Sequence, residues 1–451
     1  MFKNGMLAVA AAVTLLMPAL ASAQSSPLSS TLLNVLLSDV FLQPTPPNSP
    51  FPNHTAHFVP LSTSGTLNEG FELSDIAVPV ALNSTIVSQL STVPLGSSSG
   101  GFTWTFDPAL GTFNRASESF GPAFGERAQT SGRGKFDFGM NYLHTSFNSI
   151  QGKDLSNGDV RVYLQHEQTT PVLFFEGDVM QEALQLDLKT DTFAFFANYG
   201  VTNRLDVGVV VPVLRVSLQA NMTATVERLA TATFNPPIHV FPNGTTQNTY
   251  SGGGTAKGIG DIVVRAKYNV LKRDALGVAG GLDLRLPTGD ANNLLGTGVT
   301  ETRVYVILSD AVGRFTPHVN LGYTFASKQD SNNLYLAQLP NELGYTFGLD
   351  AAVTPRVTFA ADVLGRSLRD TAQLVDANHV FSYFNQNGVP GSQTFDTFEV
   401  VQGNQNLALA SVGAKINVWG NLLLSAQVLF PVTSNGLHAR PAPVIGVDYA
   451  F

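Results

Sequence analysis

The sequence contains no cysteine and few charged residues. Of its 451 residues only 13% are Asp, Glu, Lys or Arg, whereas soluble domains have about 25%. The absence of cysteine excludes a disulfide scaffold, a thiolate metal site, a cysteine nucleophile and a lipidated cysteine. Disorder does not explain the missing charge, because 44% of the residues are hydrophobic and 30 of them are Phe. This composition, with 41 Gly and 25 Pro for turns, indicates β-structure that faces something other than water.

Long apolar runs are also missing, except near the N-terminus. A helical membrane protein needs segments of about 20 apolar residues, and only residues 5–20 come close. This run follows one cation, Lys3, and precedes the small residues Ala21 and Ala23, which is the pattern of a secretory signal peptide. We expect residues 1–23 to be this signal, cleaved after Ala23; a membrane anchor is the alternative.

Basic patches and cofactor motifs are scarce as well. The formal net charge is −8, so the chain lacks the positive surface that attracts nucleic acid. The glycine run at residues 252–254 is not followed by the residues of a phosphate-binding loop. We expect no nucleic-acid partner and no cofactor.

From residue 134 onward, apolar residues alternate with polar ones. In the clearest segment Val264 and Tyr268 share a face, and Asp261, Arg265 and Lys267 share the other. A period of two predicts strands, although a soluble β-sandwich would show it too. Twelve strands are predicted, at 134–147, 182–200, 203–219, 258–271, 275–287, 301–310, 313–326, 342–353, 356–368, 404–418, 421–432 and 443–451.

The connections between these strands decide the architecture. Short turns, such as 200–203 and 354–355, alternate with long ones, such as 148–181, 220–257 and 369–403. Short turns at one rim and long loops at the other are typical of an outer-membrane barrel. The sequence therefore predicts an all-β protein, a transmembrane antiparallel barrel of about 12 strands over residues 131–451. The even strand number places both barrel termini in the periplasm of a Gram-negative cell.

Two local features refine this prediction. In the last strand Tyr449 and Phe451 share an apolar face, which resembles the C-terminal signal that the barrel assembly machinery recognises. In the strand at 203–219 the apolar phase changes around Pro212, and a β-bulge there would explain the change.

Residues 24–130 differ from the rest of the chain. They are rich in Ser, Thr, Pro and Asn, with a breaker cluster at 44–50. A short amphipathic helix is predicted within 28–42 and a hairpin within 102–115. We interpret this region as an N-terminal extension that forms either a plug or a periplasmic segment.

The polar faces of the predicted strands supply candidate lumen-lining residues. Their charges have mixed signs, which favours a salt-bridged filling over a selective ring, while a polar pathway is the alternative. The candidates are Lys135, Asp137, Asp187, Lys189, Asp206, Asp261, Arg265, Lys267, Asp283, Arg285, Asp350, Asp362 and Lys415.

Catalytic and metal sites find little support. His144 and Ser146 share a strand face, and Asn157 lies downstream, as in outer-membrane phospholipases. However, that face is the predicted lipid side and Asn157 occupies a turn. The one close histidine pair, His54 and His57, has no acidic companion. We therefore expect no enzymatic activity, no catalytic residues and no metal ligands.

Residues 198–213 and 258–268 resemble transporters of the phenol meta-degradation (MetA-pathway) family. In that family a turn and strand of the form YGxTxRLDVGxxxP is followed by a GxGDxxxxxKY strand, and residues 284–290 are similar to its next strand end. The resemblance covers roughly residues 190–330 and implies a barrel that admits aromatic hydrocarbons, without carrying over substrate residues.

The functional prediction is an outer-membrane channel or transporter. Its permeant would be a small, hydrophobic or aromatic molecule that diffuses passively, and its partners would be outer-membrane lipid, the barrel assembly machinery and the permeant. The alternatives are a non-transporting surface barrel with binding loops and an outer-membrane lipase.

Overall fold

The computed structural model describes most of the chain that follows the expected signal peptide. The described residues are 27–36, 42–45, 58–60, 77–91, 94, 96–97, 101–107, 112–115, 117–166, 173–273, 276–328 and 339–451. The predicted signal peptide with its cleavage site, and the pair His54 and His57, lie outside them.

The described residues form two α-helices, two short 3-10 helices and nineteen strands. The helices are α1 (Leu28–Leu36) and α2 (Ala77–Ser91), and the 3-10 helices are Phe174–Gly177 and Ala291–Asn293. The strands are β1 (Phe58–Pro60), β2 (Trp104–Asp107), β3 (Thr112–Arg115), β4 (Phe136–Ile150), β5 (Lys153–Asp154), β6 (Val160–His166), β7 (Val179–Gly200), β8 (Leu205–Glu227), β9 (Gln247–Ile259), β10 (Ile262–Arg273), β11 (Leu276–Leu286), β12 (Glu301–Asp310), β13 (Phe315–Ala326), β14 (Glu342–Thr354), β15 (Val357–Phe384), β16 (Pro390–Trp419), β17 (Leu422–Pro431), β18 (Leu437–Ala439) and β19 (Ala442–Ala450).

Twelve antiparallel strands close into a barrel. Each barrel strand pairs with the next barrel strand along the chain, in the order β4, β7, β8, β10 to β17 and β19. Strand β19 then pairs with β4, which completes the ring. One of the twelve strands has two parts, since β9 pairs with the second half of β8 and β10 with its first half. Closure leaves no strand edge unpaired, which is the condition for spanning a bilayer with strands. The predicted transmembrane barrel of about 12 strands is confirmed.

The two rims differ as the connection lengths predict. At the short-turn rim, successive strands are joined by residues 201–204, 311–314, 355–356 and 420–421. At the long-loop rim, the connections include 151–178, 228–246, 287–300 and 432–441.

Strand β13 shows how the two faces divide. Its inward side chains Thr316, His318 and Asn320 are buried, whereas Leu321 and Phe325 on the outward face are more than half exposed. The same outward exposure of large apolar residues recurs around the barrel, for example at 52% for Val306 and 58% for Ile445. Hydrocarbon around the barrel would make this apolar exterior stable.

Several strands continue past their predicted ends and extend the barrel at the long-loop rim. The expected loop 369–403 is instead the upper part of a hairpin, in which β15 and β16 pair as far as Phe384 and Pro390. The turn contains Gly388 at φ +70°, a conformation that glycine adopts without steric cost. Lys153 in the neighbouring loop donates a hydrogen bond of 3.0 Å to Asp396 of this hairpin, which raises the pKa of Lys153.

Strand β8 has the predicted bulge next to Pro212, but the extra residue lies on the partner strand. Its pairing with β7 is continuous from Gly200 to Val179, so the register on that side does not shift at Pro212. The extra residue lies on the other side, between Ile259 of β9 and Ile262 of β10. The apolar phase changes because the surroundings change: β8 has apolar side chains outside near the short-turn rim, and inside near the long-loop rim.

The helices of the N-terminal region fill the long-loop half of the barrel. Leu28, Leu32 and Leu36 recur every fourth residue of α1, and Leu82 and Ile86 recur likewise in α2. All five are buried in one apolar cluster with inward residues of β7 and β8. The predicted helix within 28–42 is α1, and the predicted hairpin within 102–115 is present as the antiparallel pair β2 and β3.

Neither helix in the described part of the chain has the length and apolarity needed to cross a bilayer.

The barrel interior as candidate functional site

Residues 117–131, the luminal segment, cross the interior of the barrel without regular secondary structure. Inward side chains of the barrel strands accept hydrogen bonds from the backbone of the luminal segment. Thr358 accepts from Phe120 N at 2.9 Å, and Ser309 accepts from Ala128 N at 3.0 Å. Irregular backbone at membrane depth is stable only when protein groups satisfy it. The luminal segment thus explains why the strands carry Ser, Thr, Asn and Asp on their inner face.

Arg127 anchors the luminal segment to β14. Its guanidinium is fully buried and donates to Asp350 Oδ2 from Nε at 3.1 Å and from Nη2 at 2.7 Å. It also donates to the carbonyls of Ser119 and Phe120 at 3.1 and 2.7 Å. Asp350 lies 3.5 Å from Nδ1 of His318 as well. One arginine therefore holds both the fold of the segment and its position against the wall.

Glu126 provides a second anchor on the opposite side. Its carboxylate lies 2.6 Å from Nη1 of Arg265 and 3.5 Å from Nζ of Lys267, both on β10. Its backbone N–H donates to Asn320 Oδ1 at 2.7 Å, and its carbonyl accepts from Asn320 Nδ2 at 2.8 Å. The segment is thereby fixed between β10 and β14.

A cavity of about 270 Å³ remains inside the barrel beside the luminal segment. One wall carries a row of side chains that face one another across adjacent strands. Asp283 is paired with Arg303 in the strand register, Arg303 with Thr324, and Thr324 with Glu342. The other wall is apolar and includes Leu364, Leu407, Leu409, Leu429 and Phe124. The cavity is therefore amphipathic.

Ion pairs neutralise most of the charged wall. Arg265 contacts Asp283 through Nε at 2.7 Å and Nη2 at 2.8 Å, a bidentate geometry. Arg285 lies 2.8 Å from Glu301, and Arg366 donates from Nε to Glu342 at 2.8 Å. Mixed signs in close pairs match the expected salt-bridged filling, with a cavity left open next to it.

The structure distributes eleven of the thirteen predicted lumen residues among four places. Arg265, Asp283 and Arg285 line the cavity. Six others contact the luminal segment: Asp137, Asp206, Lys267, Asp350, Asp362 and Lys415. Asp261 accepts from Thr297 N at 2.7 Å and so holds the loop 287–300. Lys135 is half-buried at the short-turn rim.

Asp187 and Lys189 do not lie in the lumen, which corrects the prediction for these two residues. Their side chains are 59% and 47% exposed on the outward face of β7, where they form an ion pair of 2.7 Å. At this height the inward positions are Leu186 and Leu188, which pack against the N-terminal helices. Charge indicates the lumen only where the outer surface meets lipid, and this part of β7 extends beyond that zone.

The His144 constellation lies on the outer surface. His144 Nδ1 is 2.8 Å from Asp191 Oδ1, which also accepts from Tyr142 at 2.8 Å. Within the described residues no hydrogen bond joins Ser146 to His144. Asn157 accepts from the backbone N–H of Asp159 at 3.2 Å, as expected of a turn. The grouping of His144, Ser146 and Asn157 that the sequence suggested is not assembled.

The described residues contain no group of three or more His, Asp or Glu side chains placed to hold a metal ion.

Several interior residues were missing from the candidates that the sequence supplied. Glu126 and Arg127 lie in an irregular segment, so no periodicity marks them. Glu301 and Arg303 lie at the start of β12, and Glu342 lies at the start of β14, where the alternation of apolar and polar residues has only just begun. Glu301, Arg303 and Glu342 do share one signal in the sequence, since each occupies an every-second-residue position that belongs to the inward face of its predicted strand.

The fold and its interior define a class: transmembrane barrels of twelve strands whose lumen is crossed by an irregular N-terminal segment. Residues 175–362 match the family model described as "Putative MetA-pathway of phenol degradation", which confirms the resemblance over that part of the chain. No curated protein matches the chain.

The solved structures to which the chain is similar include three outer-membrane proteins. The COG4313 outer membrane channel from Pseudomonas putida F1 is 13% identical, with a TM-score of 0.41 over 72% of this chain and 98% of that one. The CymD monoaromatic hydrocarbon channel is 10% identical, with a TM-score of 0.34 over 71% and 89%. The Pseudomonas putida toluene transporter TodX is 8% identical, with a TM-score of 0.31 over 71% and 90%. At these identities the likeness concerns the fold alone.

Proposed function

We propose that this protein is an outer-membrane channel that lets small hydrophobic or aromatic molecules diffuse passively through its barrel. The observation that carries the proposal is the cavity of about 270 Å³ inside the barrel, with its apolar wall. An apolar cavity of roughly 150 Å³ can hold benzene, so a molecule with one ring fits. The family match over residues 175–362 supports a link to aromatic degradation.

The luminal segment makes the channel selective by size and polarity. Twelve strands lie between the filled eight-stranded barrels and the open porins of 16 to 18 strands. Because residues 117–131 occupy much of the interior, large polar solutes are excluded. We assign residues 24–130 to the extension that contains this plug, followed by the barrel over 131–451.

The outer surface of the barrel indicates the membrane environment in which it lies. The exposed apolar exterior fits outer-membrane lipid, and the short-turn rim with both barrel termini would face the periplasm. Tyr449 and Phe451, exposed on the outward face of β19 and its end, would form the signal for the barrel assembly machinery. Replacing Phe451 by Ala would then lower the yield of assembled barrel, and an unchanged yield would remove this assignment.

Uptake of labelled toluene into vesicles with a lipopolysaccharide outer leaflet tests the channel function. The full chain should raise the uptake rate above that of protein-free vesicles. Leu409→Trp should lower the rate, because the larger indole would project into the cavity that Leu409 lines. Folding of each variant is checked by the heat-dependent shift in gel mobility that assembled barrels show.

Leu321→Trp is the matched control, since Leu321 is 54% exposed on the outward face. It should leave uptake unchanged. Uptake no faster than in protein-free vesicles, with a folded wild-type chain, would refute transport and favour a surface barrel with binding loops. Lipid hydrolysis that Ser146→Ala abolishes would instead favour a lipase.

A further inference from the structure

The cavity contains one arginine that no carboxylate of the described residues contacts directly. Of its four lining arginines, Arg265, Arg285 and Arg366 each contact a carboxylate at 2.7 to 2.8 Å. Arg303 makes no ion pair and no hydrogen bond within the described part of the chain. Its guanidinium stays charged at any ordinary pH, and its N–H groups remain available to a ligand, while Asp283 and Glu342 lie on the same wall without contacting it.

The surroundings of Arg303 hold it against the barrel wall. Its Cζ lies 4.9 Å from the centre of the Tyr305 ring, a cation–π distance. The guanidinium also lies close to two glycines. A Cβ atom built onto Gly322 would be 3.1 Å from Arg303 Nε, and one built onto Gly344 would be 3.6 Å from Arg303 Nη2. Because these two inward positions are glycine, the guanidinium can lie close to the sheet and leave the cavity open.

Leucines line the cavity together with Arg303. Leu364, Leu409 and Leu429 are contributed by β15, β16 and β17. A hydrocarbon needs these contacts but has no use for a cation in the same cavity, and an unpaired charge away from bulk water is costly. The combination fits a molecule with two chemically different ends.

We propose that the cavity binds an amphiphilic monoanion, a carboxylate attached to an alkyl chain or a single aromatic ring. The carboxylate would pair with Arg303, and the apolar body would contact the three leucines. This inference deepens the proposed channel function and rests on it.

Charge and geometry favour a single carboxylate. Arginine presents a planar pair of donors that matches a carboxylate in bidentate geometry. Only Arg303 among the lining arginines has no carboxylate in contact with it, and Asp283, Glu301 and Glu342 lie along the same wall. A dianion such as a phosphate monoester would therefore leave one charge facing these carboxylates.

Binding of octanoate and octanol to the full chain in lipid nanodiscs tests this inference, with empty nanodiscs as the baseline. Hydrogen bonds to charged groups contribute about 1.5 to 3 kcal/mol, so octanoate should bind about tenfold tighter than octanol, or more. Arg303→Gln should abolish this preference while the affinity for octanol stays the same. Glu342→Gln should increase the affinity for octanoate, because it frees Arg366 as a second cation.

Arg215→Gln is the matched control, because Arg215 is exposed on the outward face of β8. It should retain the preference for octanoate. Equal affinities of the wild-type chain for both ligands, or a preference that survives in Arg303→Gln, would overturn the inference. If toluene uptake persists in that case, the channel function stands without the anion site; if uptake is also absent, both fail.

Discussion

Arg127 is a buried cation whose five hydrogen bonds reach three residues: Asp350, Ser119 and Phe120. Two of these residues belong to the luminal segment itself, and the third belongs to the barrel. The side chain therefore couples the local fold of the segment to its attachment. Its removal leaves Asp350 buried without its strongest partner.

Arg127→Ala should loosen the luminal segment and increase the ion conductance of the barrel. Breaking a buried ion pair by removing one partner costs about 3 to 5 kcal/mol, enough to shift a local equilibrium towards a displaced segment. Single-channel recording in planar bilayers measures the effect. Arg133→Ala is the control, since Arg133 is exposed next to the segment. Equal conductance of the two variants and the wild-type chain would contradict the anchoring role.

Individual interior residues were predictable only where a strand pattern contains them. Alternation identifies Asp350 and Lys415 as inward residues, and both contact the luminal segment. The same reasoning fails for Asp187, because a period of two distinguishes the faces without revealing which one meets lipid. Arg127 lies in an irregular segment, whose path depends on contacts with strands all around the barrel that no local pattern encodes.

At the scale of elements, all twelve barrel strands follow from the sequence, most of them to within a few residues. Strand β12 is predicted at 301–310 and observed there. The hairpin of β15 and β16 was missed beyond residue 368, because outside the bilayer its outward positions no longer need to be apolar. Its sequence then reads as a polar loop, although Val, Phe and Thr favour strands.

Two single-cysteine variants test which rim faces the cell exterior. The chain has no cysteine, so each introduced thiol is the only label site. Asn387→Cys lies in the turn between β15 and β16, and Arg356→Cys in the turn between β14 and β15. An impermeant maleimide added to intact cells should label the first variant and leave the second unlabelled. The reverse pattern would invert the proposed orientation, and lysed cells provide the control for accessibility.

At the scale of the whole molecule, the scarcity of charge has a structural cause. One face of each strand is apolar where it meets lipid, and charged residues concentrate in the interior, where most of them pair. The same interior holds the helices and the luminal segment of the N-terminal region, for which the sequence left a plug and a periplasmic segment as alternatives. The composition and the strand pattern thus predict the barrel, while the cavity depends on the way in which the described residues between 27 and 131 fill it.

The central claim is that a small apolar molecule occupies the interior cavity, and crystallography with a heavy-atom analogue tests it most directly. Crystals of the full chain soaked with 4-iodophenol should show an anomalous peak between Arg303 and Leu409. Leu409→Trp crystals treated in the same way should lack that peak. Iodine found only on the lipid-facing surface of the wild-type barrel, with the cavity empty, would contradict the account.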